Sequence, residues 1–143
     1  YINAPCIAKE RFIKVIEAKS SDMKDYTSMI SVTIKTDRGE IYAAGTIFGR
    51  QDPRIVRINK FTVEVIPEGR MFVMFNYDKP GVIGNIGTTL GQNDVNISRL
   101  HLSREQIDGQ ALVVLSTDSA VSADVIEKLR KLPHVISVAD LEM

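Results

Sequence analysis

Apolar side chains recur along this chain at helical spacing first and at strand spacing afterwards. Ile7, Ala8, Phe12, Val15 and Ile16 share one helical stripe, Lys9, Arg11, Lys14 and Glu17 lie off it, and Pro5 suits a first turn. This predicts a helix over 5–19, ended by Ser20-Ser21-Asp22. Ile30, Val32 and Ile34 then alternate with Ser31, Thr33 and Lys35, the signature of a half-buried strand. Asp37-Arg38-Gly39 reads as a turn and 40–48 as the returning strand, so the two form a hairpin, with a loop at 49–53. A second hairpin, 54–58 and 61–66, closes on Asn59-Lys60. A two-residue loop sets Ile58 opposite Phe61 and Val56 opposite Val63, all on one face, with Arg57 and Thr62 on the other. Lys60 stands where Gly is usual, which leaves the turn type open.

Pro67-Glu68-Gly69-Arg70 carries both chain breakers and marks the boundary between two units, 1–69 and 70–143. The second unit reads strand 71–77, helix 82–93, strand 97–104, strand 111–115, helix 122–132, strand 135–141. The first helix turns Ile83, Ile86 and Leu90 inward. Ser122 caps the second, with Asp124 in its first turn and Lys128, Arg130 and Lys131 near its end, as the helix dipole prefers. The predicted fold class is therefore α+β: an N-terminal helix with antiparallel hairpins, followed by a ferredoxin-like βαββαβ unit with its first and third strands central. Those two strands are almost continuously apolar, whereas 97–104 sets Leu100 and Leu102 on one face and Arg99 and His101 on the other. Helices cover only one face of such a sheet, so an adjoining domain or a second subunit is expected on the other.

Size and charge narrow the function. At 143 residues the chain can bury a stable core, whereas halves of about 70 are marginal alone and gain from packing on each other. The net charge is zero, which removes the electrostatic case for nucleic acid or an anionic membrane. Lys and Arg outnumber Asp and Glu by 12 to 9 in residues 1–70 and are outnumbered 6 to 9 afterwards. Cys6 is alone, so neither an intrachain disulfide nor a paired-cysteine metal site is available, which fits a reducing, cytoplasmic setting. No apolar run approaches a membrane span. The chain opens on Tyr1 and reads as a fragment of something longer.

No catalytic constellation is visible and no metal site is expected. His101 and His134 lack a Cys or Ser partner, and surface positions suit them better than catalysis. The glycines 81, 84, 87 and 91 are not a dinucleotide fingerprint, and close helix packing explains them more simply. Strand 111–115 lacks the aromatics of an RNA-binding sheet. The productive cluster is Asn76, Asp78, Gly81 and Val82, with Asn96 further on. An apolar strand stops at Asn76, and Pro80-Gly81 opens a helix whose first N–H groups have no internal partner. Those N–H groups suit a carboxylate, Asp78 suits an ammonium, and Asn76 or Asn96 can read a side chain. The plainer alternative is that Asp78 caps the helix. Arg54, Arg57 and Lys60 crowd one hairpin, which is usually a solvated face and less often a phosphate or carboxylate site.

Residues 71–143 resemble an ACT domain through Asp78-Lys79-Pro80-Gly81, Ile83-Gly84 and Val95-Asn96-Ile97. Residues 1–70 are similar to the intervening domain of long-form D-3-phosphoglycerate dehydrogenases. Asn3-Ala4-Pro5, Ala8-Lys9-Glu10-Arg11, Gly45-Thr46, Phe48-Gly49 and Ile55-Val56-Arg57-Ile58-Asn59 carry that match. The resemblance implies a regulatory region of an NAD-dependent enzyme of L-serine biosynthesis, non-catalytic by itself and holding no NAD. It implies feedback inhibition by L-serine, bound where two ACT domains pair in a homodimer. Asn76, Asp78 and Asn96 match the ligand positions, Asn96 reaching across from the second subunit; Asn76 stands where other members place His or Tyr. Arg54 matches one basic position of an anion site, while Ile66 stands at a second. An iron–sulfur L-serine dehydratase subunit carries a similar domain pair and is the alternative parent, with a stand-alone amino-acid sensor a third reading.

Overall fold

A computed structural model describes residues 3–16, 28–37, 39–106 and 109–143. Helix α1 spans Ala4–Glu10 with Pro5 in its first turn. It is much shorter than the predicted 5–19. Phe12 takes a left-handed φ of 56°, and the N–H groups of Phe12 and Ile13 close back onto the carbonyls of Lys9 and Ala8. That is a Schellman termination, with Phe where Gly is usual. The β-branched Ile13, Val15 and Ile16 beyond it have weak helix propensity and leave 13–16 irregular. The remainder of the predicted helix, its Ser20-Ser21-Asp22 stop and Arg38 of the first turn lie outside the described residues.

Strands β1 (Met29–Thr36), β2 (Gly39–Phe48), β3 (Asp52–Ile58) and β4 (Phe61–Val65) form one antiparallel sheet in that order. The loop expected over 49–53 is shorter, because Asp52 and Pro53 already pair with Phe48 and Ile47. β1 alternates as expected but is exposed along its whole length, not half-buried. Its apolar face, Ile30, Val32 and Ile34, lies opposite Gly45, Ala43 and Ile41 of β2, and no second layer among the described residues covers it. In the β3–β4 hairpin Ile58 does face Phe61 and Arg57 faces Thr62. The expected Val56–Val63 pair is absent: the register shifts between Ile55 and Arg57, and Ile55 comes to lie opposite Val65. Asn59 has a φ of 51°, and Lys60 does not share a positive φ, so the turn is not type I′. The Asn59 side chain earns its place differently, its Oδ1 accepting the Tyr42 N–H at 2.9 Å.

The second sheet comprises β5 (Arg70–Tyr77), β6 (Ile97–Arg104), β7 (Gln110–Thr117) and β8 (Val135–Glu142), in the order β6-β7-β5-β8. The first and third strands of this unit are central, as the apolar pattern requires. Helices α2 (Val82–Gly91) and α3 (Ala123–Arg130) cover one face. Phe72 and Met74 of β5 and Val113 and Leu115 of β7 pack there against Val82, Ile86, Leu90, Val125 and Leu129. The opposite face presents Met71, Leu112 and Val114. Phe61, Val63 and Val65 of β4 bury themselves on it, with Ile55, Ile58, Val73 and Phe75 around the rim. An adjoining unit of the same chain therefore supplies the cover that the sequence demands. Arg99 to Glu68 at 2.7 Å and a Lys60–Glu105 pair add ionic contacts between the units.

Candidate functional site

The register of the second sheet places three residues in one row. Asn76 lies opposite Ala111, and Ala111 lies opposite Arg104. All three are on the helix-covered face, since Asn76 continues Phe72 and Met74 while Arg104 continues Leu100 and Leu102. Two strand spacings separate the outer pair, about 10 Å. The residue between them carries only a methyl group and is fully buried, so Asn76 is reached from the Arg104 side only through covered structure.

Asn76 is 2% exposed. Its Nδ2 donates to the carbonyl of Tyr77 at 2.8 Å, but its Oδ1 is buried without a hydrogen-bond partner. A buried carboxamide oxygen left unpaired costs about 1–3 kcal/mol. The chain leaves β5 through Tyr77 and Asp78, whose N–H groups are tied to the carbonyls of His134 and Gly109 at 2.9 and 2.8 Å. These two bonds fix the strand end. Asp78 then turns its carboxylate to Arg104, with Oδ2 3.4 Å from Nη1 and the side chain only 22% exposed. It does not cap α2, so the plainer reading of Asp78 gives way to an ion pair.

Helix α2 starts from Gly81, in a left-handed conformation at φ 88° with no side-chain cap. A Cβ there would meet nothing within 4 Å, so it is backbone strain, not crowding, that calls for glycine. The Val82 N–H reaches the Lys79 carbonyl at 3.4 Å, a long and weak contact. This helix start sits one short loop beyond Asn76 and Asp78. An orphaned amide oxygen, a carboxylate, a guanidinium and uncapped N–H groups thus cluster at one end of the sheet, a set suited to a small zwitterion.

Asn96 is elsewhere. β5 and β6 are parallel through their shared neighbour β7, and Asn96 precedes the Ile97 end, opposite the end that carries Arg104 and Asn76. Six residues of strand separate the two ends, about 20 Å. Its Nδ2 donates to Asp118 Oδ2 at 2.6 Å. Within one chain, therefore, Asn76, Asp78, Gly81 and Val82 come together and Asn96 does not.

The basic trio does not converge. Arg54 engages Asp52, the Pro53 carbonyl at 3.0 Å and Glu64 at 3.8 Å, and lies over Phe48. Arg57 donates to the Asn59 carbonyl at 3.1 Å and stacks over Tyr42. Lys60 pairs with Glu105 and lies over Phe61. Two clefts open between the sheets, of about 290 Å³ around Glu64, His101 and Ser103 and about 350 Å³ around Lys60, Phe75 and Gln110. Neither is lined by Asn76, Asp78, Gly81, Val82 or Asn96. Among the described residues no group of His, Cys, Asp and Glu has metal-binding geometry, and no helix is long and apolar enough to cross a membrane.

Arg104 is the residue that sequence reasoning passed over. The signal was present in the alternation Leu100, Leu102, Arg104, which together with βαββαβ topology puts the guanidinium on the face of Asn76.

Residues 1–59 match the family model of the D-3-phosphoglycerate dehydrogenase intervening domain, and residues 70–134 match that of the ACT domain. The class is thus a two-domain regulatory region, an intervening domain followed by a ferredoxin-like ACT domain. The chain is thus similar, domain by domain, to the intervening and ACT domains of D-3-phosphoglycerate dehydrogenases. D-3-phosphoglycerate dehydrogenases of Methanocaldococcus jannaschii, Bacillus subtilis and Archaeoglobus fulgidus are each 33% identical to it over 99% of this chain. It spans 27% of the length of each. Among solved structures, the ACT domain from GTP pyrophosphokinase of Chlorobium tepidum is 24% identical, covering 52% of this chain and 97% of that one at a TM-score of 0.42.

Proposed function

We propose that this chain is the amino-acid-sensing region of a D-3-phosphoglycerate dehydrogenase and that its ligand is L-serine or a similarly small amino acid. The observation that carries the reading is the buried, unpartnered Oδ1 of Asn76 beside the uncapped start of α2. A hydroxyl or ammonium donor on the ligand removes the orphan, and the helix N–H groups and nearby charges take the zwitterion. The pocket is completed by a second copy. β6 is an edge strand, and its helix-side Leu100 and Leu102 are partly exposed. Pairing that edge antiparallel about a twofold axis carries Asn96 of the partner subunit to the Arg104 end, which resolves the 20 Å separation within one chain.

Regulation then follows by linkage. A ligand held between two ACT domains favours the paired arrangement, and it biases the position of whatever is attached to the chain by its difference in affinity between arrangements. In the whole protein the attached part is a cytoplasmic, NAD-dependent catalytic unit oxidising D-3-phosphoglycerate, so serine slows its own synthesis. Isothermal calorimetry with L-serine, glycine, L-alanine and L-phenylalanine tests this. Saturable binding of the small amino acids at one site per chain, two per dimer, is expected, with L-phenylalanine excluded. Absence of heat for every small amino acid overturns the reading.

A further inference from the structure

We propose that Arg104 is the carboxylate-recognising residue of this site, and that the Arg104–Asp78 pair is a clasp that a zwitterion exchanges for two ligand contacts. The proposal rests on the amino-acid reading above and assigns that ligand's carboxylate to a side chain instead of to the helix start alone.

The resting contact is poor by the standard of a structural ion pair. One nitrogen of Arg104 approaches one oxygen of Asp78 at 3.4 Å, whereas a good charge-assisted bond is about 2.7–2.9 Å. The guanidinium has five N–H donors and, among the described residues, shows this single contact, with its side chain 57% exposed. Asp78 is the reverse, largely buried and with its backbone pinned to Gly109. A fixed anion thus faces a loosely held, under-used cation.

An α-amino acid carries both complements on one carbon. Its carboxylate suits the planar fork of Arg104 bidentately, and its ammonium suits Asp78. The swap replaces one long contact by two short charge-assisted ones and leaves no charge unpaired. Ala111, between Asn76 and Arg104, is fully buried and so is the Asn76 Oδ1, so the ligand's side chain reaches that orphaned oxygen only as the clasp opens. The same geometry predicts that both charges are required. A molecule with only one would break the clasp and leave either Arg104 or Asp78 without a partner.

The test uses the chain as it is, with calorimetry of L-serine, L-serinamide, which lacks the carboxylate, and 3-hydroxypropanoate, which lacks the ammonium. Against wild type, both analogues are expected to bind at least about 10-fold more weakly than L-serine, the loss associated with one charged hydrogen bond. Arg104→Gln is expected to weaken L-serine by about 10- to 100-fold while leaving L-serinamide binding unchanged or tighter, because no clasp then has to open. Arg104→Lys is expected to retain more affinity than Arg104→Gln. Thermal melts of each variant verify folding, which this exposed position should not disturb. Equal L-serine binding by wild type and Arg104→Gln overturns the proposal while the amino-acid reading stands. A matching loss for L-serinamide also overturns it, because a merely structural Arg104 would affect both ligands. No binding of L-serine, glycine or L-alanine by wild type overturns both.

Discussion

Phe61→Ala probes how the two units are joined. Phe61 is 2% exposed and lies at the centre of the seam, among Val63, Val65, Met71, Leu112 and Val114, which are themselves at most 8% exposed. Burying a phenylalanine side chain is worth about 1.5–3 kcal/mol in transfer free energy. The surrounding strands are locked into two sheets and cannot close over the gap, so a cavity penalty adds to this and brings the usual Phe→Ala cost to about 3–5 kcal/mol. The tilted contact with Phe75, ring centroids 5.9 Å apart, supplies about 0.5–1.5 kcal/mol of that cost. For a domain of this size the loss corresponds to a drop of about 10 °C in melting temperature. Because the helix-side core of the ACT domain does not include Phe61, urea denaturation should also lose its single transition, the first unit unfolding ahead of the second. The assay is urea unfolding followed by far-ultraviolet circular dichroism. A change below about 1 kcal/mol with one transition retained would refute a seam built on Phe61.

Other substitutions separate function from stability. Asn76→Leu removes the orphaned carboxamide at similar volume, so it should leave stability unchanged or raised while amino-acid binding in calorimetry is lost. Ser122→Ala deletes the N-cap bond to the Val125 N–H, long at 3.4 Å, and should cost about 0.5–1 kcal/mol in urea unfolding. Ile30→Lys alters a β1 side chain 77% exposed and should change stability by less than about 0.5 kcal/mol; a larger loss would mean that this face is covered in solution.

Much of this architecture was legible in the residues. Near-continuous apolar runs at 71–75 and 111–115 mark strands buried on both faces, and the alternation in 97–104 marks an edge. The need for a second cover followed from Met71, Leu112 and Val114, although nothing in their pattern says that β4 supplies it. Local periodicity misled where a cap or a missing layer decides the outcome. Ile7 to Ile16 carries a helical stripe, yet the left-handed Phe12 ends the helix near Glu10, and a cap in a residue other than Gly leaves no sequence signal. β1 shows that alternation reveals which side is apolar, not whether anything lies against it. The bulge at Val56 is equally silent, since a register shift depends on the partner strand. At the site, Asn76, Asp78 and Gly81 were found because they interrupt a pattern. Arg104 was missed because it ends a strand like an ordinary surface charge, and only register brings it into their row.

An amino acid bound at the junction of Asn76, Asp78 and the start of α2 must perturb the groups around it. Titration of L-serine into the nitrogen-15-labelled chain follows the Asn76 side-chain amide with the Gly81 and Val82 backbone amides. All three should shift together along one saturation curve. Resonances that stay fixed at saturating L-serine, or shifts confined to the clefts around His101 and Gln110, would contradict it.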